Sequence, residues 1–129
     1  MPTIKQRRPA SGGPVLYRLA LLAALPLEVR PFLRQARARR LAGKDLPAWE
    51  FNLGEGRGVV ALTGMGEEAA GRAASEVLAR WRPQVLVSPG FSGALLPGLA
   101  PGDLVLGESF RHFDPQTGRL EEVDRKSVV

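Results

Sequence analysis

The sequence predicts an α/β domain in which a mixed central sheet is flanked by helices. Three observations predict it. Short apolar, β-branched runs alternate along the chain with segments whose apolar residues recur at helical spacing. The first of these runs is almost continuously apolar, as expected of a strand covered on both faces. Glycine-rich turns follow two later runs, at Gly64-Met65-Gly66 and at Gly90-Phe91-Ser92-Gly93, and open α/β sheets bind ligands at such junctions.

Taken in order, residues 1–14 combine prolines, glycines and the basic residues Lys5, Arg7 and Arg8, a composition that predicts a disordered basic tail. From Val15 to Ala24 the chain is apolar enough for a first core strand. Pro26 suits the first turn of a helix, and Val29, Phe32, Leu33 and Ala36 then share one face, predicting a short amphipathic helix over Leu27–Arg39. The run Arg34, Arg37, Arg39 and Arg40 reads as the solvated face of that helix.

Trp49–Leu53 and Gly58–Leu62, separated by Gly54, Glu55 and Gly56, predict a hairpin whose second arm is a central strand. Glu67–Trp81 places Ala70, Ala73, Ala74, Val77, Leu78 and Trp81 on one face of a second helix. Val85–Val87 and Leu104–Leu106 predict two further strands. Beyond Phe110 the chain turns polar and predicts no further core element.

With 129 residues the chain can form one modest domain. Its hydrophobic fraction of 44% and charged fraction of 24% are those of a soluble globular chain. No cysteine is present and His112 is the only histidine, so disulfides and thiolate or histidine-cluster metal sites are excluded, and no cofactor is expected. The net charge of +5 and pI near 10.7 speak to non-specific attraction, and they predict neither a nucleic-acid fold nor a nucleic-acid partner. The apolar run Leu19–Leu25 is too short for a membrane span and lacks a convincing cleavage site, so a cytoplasmic location is expected.

Three stretches carry a resemblance. Ala24-Leu25-Pro26-Leu27-Glu28-Val29 follows the first strand. Val60-Ala61-Leu62-Thr63-Gly64-Met65-Gly66 leads into the alanine-rich helix. Pro83-Gln84-Val85-Leu86-Val87-Ser88-Pro89-Gly90-Phe91-Ser92-Gly93-Ala94-Leu95 precedes Gly102-Asp103-Leu104-Val105-Leu106. In this order and spacing they resemble the nucleoside phosphorylase and nucleosidase superfamily, in particular the 5′-methylthioadenosine/S-adenosylhomocysteine nucleosidases.

The resemblance implies the phosphorylase/nucleosidase-like fold over residues 15–123, a small-molecule nucleoside substrate, and a homo-oligomer in the full-length form. It places Glu28 where nucleosidases keep a glutamate that activates water, although a glutamate in a first helical turn is also favoured by the helix dipole alone. Thr63, Gly64, Met65 and Gly66 match the loop that touches ribose and water; Met65 is either a ribose contact or core. Gly90, Phe91, Ser92 and Gly93 match the segment lining the base and sugar pocket.

Phe91 departs from the small hydroxyl residue common there, and Ser88 stands where hexameric phosphorylases keep an arginine for phosphate. Together with Glu28 this favours hydrolysis. The other readings are a phosphorylase-like enzyme, including the hopanoid-associated type, and a non-catalytic basic interaction module. The resemblance reaches only the first half of a typical member, so the later Met-Glu ribose clamp and leaving-group aspartate are expected to be missing and the chain truncated and inactive. The terminal Asp124-Arg125-Lys126-Ser127-Val128-Val129 matches a translated sequencing adapter and is expected to be non-native.

Overall fold

The computed structural model describes residues 14–122 in two units, the first running to Phe91 and the second beginning at Ser92. Apart from Pro14, the predicted tail 1–14 lies outside the described residues, as does the terminal segment 123–129.

In the first unit, strand β1 (Tyr17–Ala23) leads into helix α1 (Pro26–Gln35), and strands β2 (Arg39–Arg40), β3 (Ala48–Leu53) and β4 (Gly56–Leu62) follow. Helix α2 (Glu67–Trp81) then carries the chain to strand β5 (Val85–Val87). The five strands form one mixed sheet in the order β2-β3-β4-β1-β5. β1 lies at its parallel centre, with Ala23 opposite Leu62 of β4 and Leu21 opposite Val87 of β5. β3 runs antiparallel to β4, as the hairpin pattern predicts.

The near-continuous apolar character of β1 follows from its two covered faces, because successive side chains of a strand point to opposite sides. Ala20 and Leu22, with Val59 and Ala61 of β4, pack against Ala73, Val77 and Trp81 of α2. Ala23 and Val60 face the other way, onto Val29 of α1 and Phe51 of β3. Gly58 lies under the Phe51 ring, and a β-carbon there would occupy the ring's position. The freed Phe51 ring meets Phe32 of α1 edge-on, with centroids 5.1 Å apart.

The two helices end by different backbone routes. α1 stops at Gln35, short of the predicted Arg39, because Arg37 takes a left-handed φ of 50°. The Arg37 amide then donates to the Arg34 carbonyl and the Ala38 amide to that of Leu33, a Schellman closure with arginine where glycine is usual. α2 keeps its predicted bounds. It ends at Arg82, also left-handed at φ 47°, before Pro83.

The chain beyond α1 corrects the reading of the arginine run as one helical face. Arg39 and Arg40 form the edge strand β2, and the Arg40 guanidinium stacks 4.7 Å over Trp49 while donating to the Ala48 carbonyl. Their partners lie eight to eleven residues away, beyond the reach of helical periodicity.

The second unit holds a two-stranded hairpin, β6 (Arg111–Asp114) and β7 (Arg119–Glu122). Asp114 organises its turn: its carboxylate accepts from the Gln116 amide and the Thr117 hydroxyl, and its carbonyl from the Gly118 amide. The hydrogen bonds to its carboxylate, the Gln116 amide first and then Thr117, hold the Asp114 carboxyl below its ordinary value. The hairpin contributes no buried side chain, in keeping with the absence of a predicted core element there. Leu104–Leu106 corrects an expectation. The segment forms no strand, and all three residues are exposed, because no described segment offers its backbone a pairing partner.

Candidate functional site

Parallel pairing brings the carboxyl ends of β4, β1 and β5 to one edge of the sheet, so the segments after them leave side by side. The chain passes from β1 to β4 on one side and crosses by α2 to β5 on the other. Such a reversal of strand order opens a crevice at the strand ends. The Thr63 amide extends the ladder by donating to the Ala23 carbonyl at 2.9 Å, which fixes the start of the second loop against the end of the first strand.

Glu28 stands at the centre of this edge. It occupies the third position of α1, and its Oε2 accepts from the backbone amides of Ala24 at 3.0 Å and Leu25 at 3.1 Å. This is one half of a capping box; Leu25 has no side-chain acceptor to complete the other half, and the Glu28 amide donates instead to the Leu25 carbonyl at 3.2 Å. The capping role and the role implied by the resemblance use different atoms. Oε2 is spoken for, whereas Oε1 accepts no hydrogen bond among the described residues and lies beside Gly90.

Gly64 and Gly66 hold left-handed φ angles of 79° and 98°, so their requirement is conformational: a β-carbon at Gly64 would meet only the Ala69 Cβ at 3.9 Å, and one at Gly66 nothing within 4 Å. Between them Met65 is 75% exposed and belongs to neither core cluster. The Thr63 hydroxyl donates to the Gly64 carbonyl at 2.6 Å. Thr63 also lines a cavity of about 310 Å³ on the α2 side of the sheet, together with Asp45, Leu46, Leu62, Arg72 and Glu76. That volume lies at the small end of ligand pockets, and its rim carries both charge signs.

The structure therefore gathers Glu28, Gly90 and the Thr63–Gly66 loop at one sheet edge. Phe91, 74% exposed, ends the first unit beside Gly90. Ser92 and Gly93 fall in the second unit, where the Ser92 hydroxyl donates to the Gly93 carbonyl at 3.2 Å. Among the described residues no group of three His, Asp or Glu side chains is placed to hold a metal ion, and no helix is long and apolar enough to cross a membrane.

A second cluster went unread in the sequence. Glu50, only 7% exposed on β3, accepts from the Tyr17 hydroxyl at 2.7 Å, from Arg57 at 2.9 Å and from Arg39 at 2.7 Å. Burial alone would raise the Glu50 carboxyl, but the hydrogen bonds from Tyr17, Arg57 and Arg39 outweigh it and hold the group below its ordinary value. The available signal was a glutamate between Trp49 and Phe51 in an apolar strand, since a carboxylate there must find cations. Tyr17 and Arg57 are near the amino ends of β1 and β4, so this cluster braces the end of the sheet away from Glu28.

The fold and the edge at Glu28 define a class: α/β proteins with a mixed sheet and a crevice at the carboxyl ends of its parallel strands. Residues 13–124 match the family model of the phosphorylase superfamily, and the chain belongs to that superfamily. Over 100 residues it is 29% identical to the 5′-methylthioadenosine/S-adenosylhomocysteine nucleosidase of Geobacillus thermodenitrificans, covering 75% of this chain and 42% of the relative. The crystal structure of the Neisseria meningitidis nucleosidase in complex with methylthio-immucillin-A superposes with a TM-score of 0.65 at 28% identity, covering 77% of this chain and 43% of that one. The Campylobacter jejuni nucleosidase shares the fold at 23% identity and a TM-score of 0.65, with 76% of this chain and 43% of that one covered. The chain thus spans less than half the length of the relatives it matches.

Proposed function

We propose that these residues build the water-activating part of a nucleosidase site, in a hydrolase that cleaves the N-glycosidic bond of a purine nucleoside such as methylthioadenosine or S-adenosylhomocysteine. One observation carries the reading. A glutamate is tethered through one oxygen at the carboxyl edge of the parallel strands, in a superfamily member whose similar relatives include nucleosidases.

In this reading Glu28 Oε1 accepts a proton from water as the water adds to the anomeric carbon, while the amides of Ala24 and Leu25 keep the carboxylate aimed. In the loop Thr63–Gly66, the two glycines allow the backbone to approach the ribose closely. Gly90 lies beside the carboxylate, and the exposed Phe91 follows it in the chain. Ser88, in place of a phosphate-gripping arginine, supports water over phosphate as nucleophile.

The test is cleavage of methylthioadenosine, with and without inorganic phosphate, by a full-length form that carries these residues. Phosphate-independent release of adenine is expected, and Glu28→Gln should lower kcat by about 10²–10⁴-fold, the usual contribution of a general base. Cleavage that requires phosphate would move the assignment to the phosphorylases. A Glu28→Gln variant with full activity would end it.

A further inference from the structure

We propose that Gly90 is a positioning residue for Glu28: its missing side chain leaves the space in which the unpaired Oε1 of the tethered carboxylate stands. The inference rests on reading Glu28 as the water-activating group and adds the element that sets where its free oxygen lies.

Two observations separate Gly90 from the other glycines of the edge. Its backbone does not take the left-handed conformation that reserves Gly64 and Gly66 for glycine, so conformation alone does not exclude a side chain. Space does. A β-carbon at residue 90 would stand 3.2 Å from Glu28 Oε1 and 4.0 Å from its Cδ, and the carboxylate would have to retreat by a few tenths of an ångström.

A surface carboxylate could make that retreat freely, but this one cannot. Its Oε2 is held by the Ala24 and Leu25 amides, and its stem rises from the first turn of α1. Moving Oε1 away from residue 90 rotates or lifts the whole group, so one of those two hydrogen bonds lengthens. Gly90 and the two amides therefore act together: the amides fix one oxygen, and the bare α-carbon admits the other. The hydrogen-bond strength and the access of Oε1 change together when either is altered.

The experiment compares amide spectra of the ¹⁵N-labelled chain with those of Gly90→Ala, Glu28→Ala and, as a control in open space, Gly71→Ala. Gly90→Ala should move the Ala24 and Leu25 amide resonances in the direction that Glu28→Ala moves them, while Gly71→Ala leaves both in place. Unmoved Ala24 and Leu25 resonances in folded Gly90→Ala would overturn the proposal. Should Gly90→Ala lose the fold, the double variant Glu28→Asp/Gly90→Ala, one methylene shorter, should regain it; a double variant no more stable than the single one would count against the proposal equally. These readouts need no turnover, so a failed nucleosidase assignment, read from the Glu28→Gln assay, remains distinguishable from a failed role for Gly90.

Discussion

Arg39 Nη2 donates to Glu50 Oε2 at 2.7 Å, and this pair fastens the edge strand β2 to the buried carboxylate of β3. The same carboxylate holds Tyr17 of β1 and Arg57 of β4, so one side chain braces four of the five strands of the sheet. Glu50→Ala would leave the Arg57 guanidinium and the Tyr17 hydroxyl without their acceptor. Breaking a fully buried pair costs about 3–5 kcal/mol. Arg39 is 72% exposed and adds little, so the expected loss is about 2 kcal/mol by urea denaturation. A loss below about 0.5 kcal/mol, the range of ordinary surface substitutions, would remove the cluster from the fold's support.

The cluster also sets how stability depends on pH. The Glu50 carboxyl is lowered in the folded chain, so its stabilisation is complete above the unfolded carboxylate value of about 4.3 and is lost as pH falls through the folded value below it. Burial, then the hydrogen bond to Glu50, raises the Tyr17 phenol, so its share is complete below about pH 10 and is lost as pH rises through its higher folded value. Thermal unfolding followed from about pH 7 down to about pH 3 should fall more steeply for the wild-type chain than for Glu50→Gln. Parallel curves would refute this.

Arg37 closes α1 in a backbone conformation that suits glycine, at a cost of about 1–2 kcal/mol for a side-chain-bearing residue. Glycine has a larger unfolded-state entropy, which returns about 0.5–1 kcal/mol of that. Arg37→Gly should therefore raise stability by about 0.5 kcal/mol, seen as a higher denaturation midpoint with an unchanged slope. A fall in the midpoint would mean that the Arg37 side chain supports the fold in a way its exposed position does not suggest.

Gly58 and Gly71 make a paired prediction. Gly58→Ala forces a methyl group into the space of the Phe51 ring and should cost about 2 kcal/mol or more, because the ring is itself wedged against Phe32. Gly71→Ala adds a methyl to an exposed position of α2 with nothing within 4 Å and should stabilise by about 0.5–1 kcal/mol. Two substitutions of the same chemistry are thus expected to carry opposite signs, and equal signs would contradict the packing described.

The elements legible in the sequence were those whose residues serve one local requirement. α2 shows its full length, Glu67–Trp81, because the buried stripe Ala73, Val77 and Trp81 is written at helical spacing within four turns of chain, although Ala70 and Leu78, read onto the same face, are exposed. β1 shows its two covered faces as an apolar run interrupted only by Arg18, and the β3–β4 hairpin shows its turn glycines. The Leu104–Leu106 run has the same apolar character and is no strand, because a strand is a pairing of two segments and composition names only one of them.

The candidate site divides in the same way. Glu28, the Thr63–Gly66 loop and the Gly90 turn could be read from the order of short motifs, each a property of a few neighbouring residues. The sequence by itself determined the mixed α/β architecture, the apolar stripes and the glycine-rich turns that follow β4 and β5, since these follow from side-chain volume, periodicity and the conformational freedom of glycine. Tertiary structure alone decided that Arg39 leaves the helix to meet Glu50, and that Gly90 approaches Glu28 across 62 residues of chain. Contacts of that kind depend on which strands become neighbours, a choice made by the burial of the whole sheet between two helices.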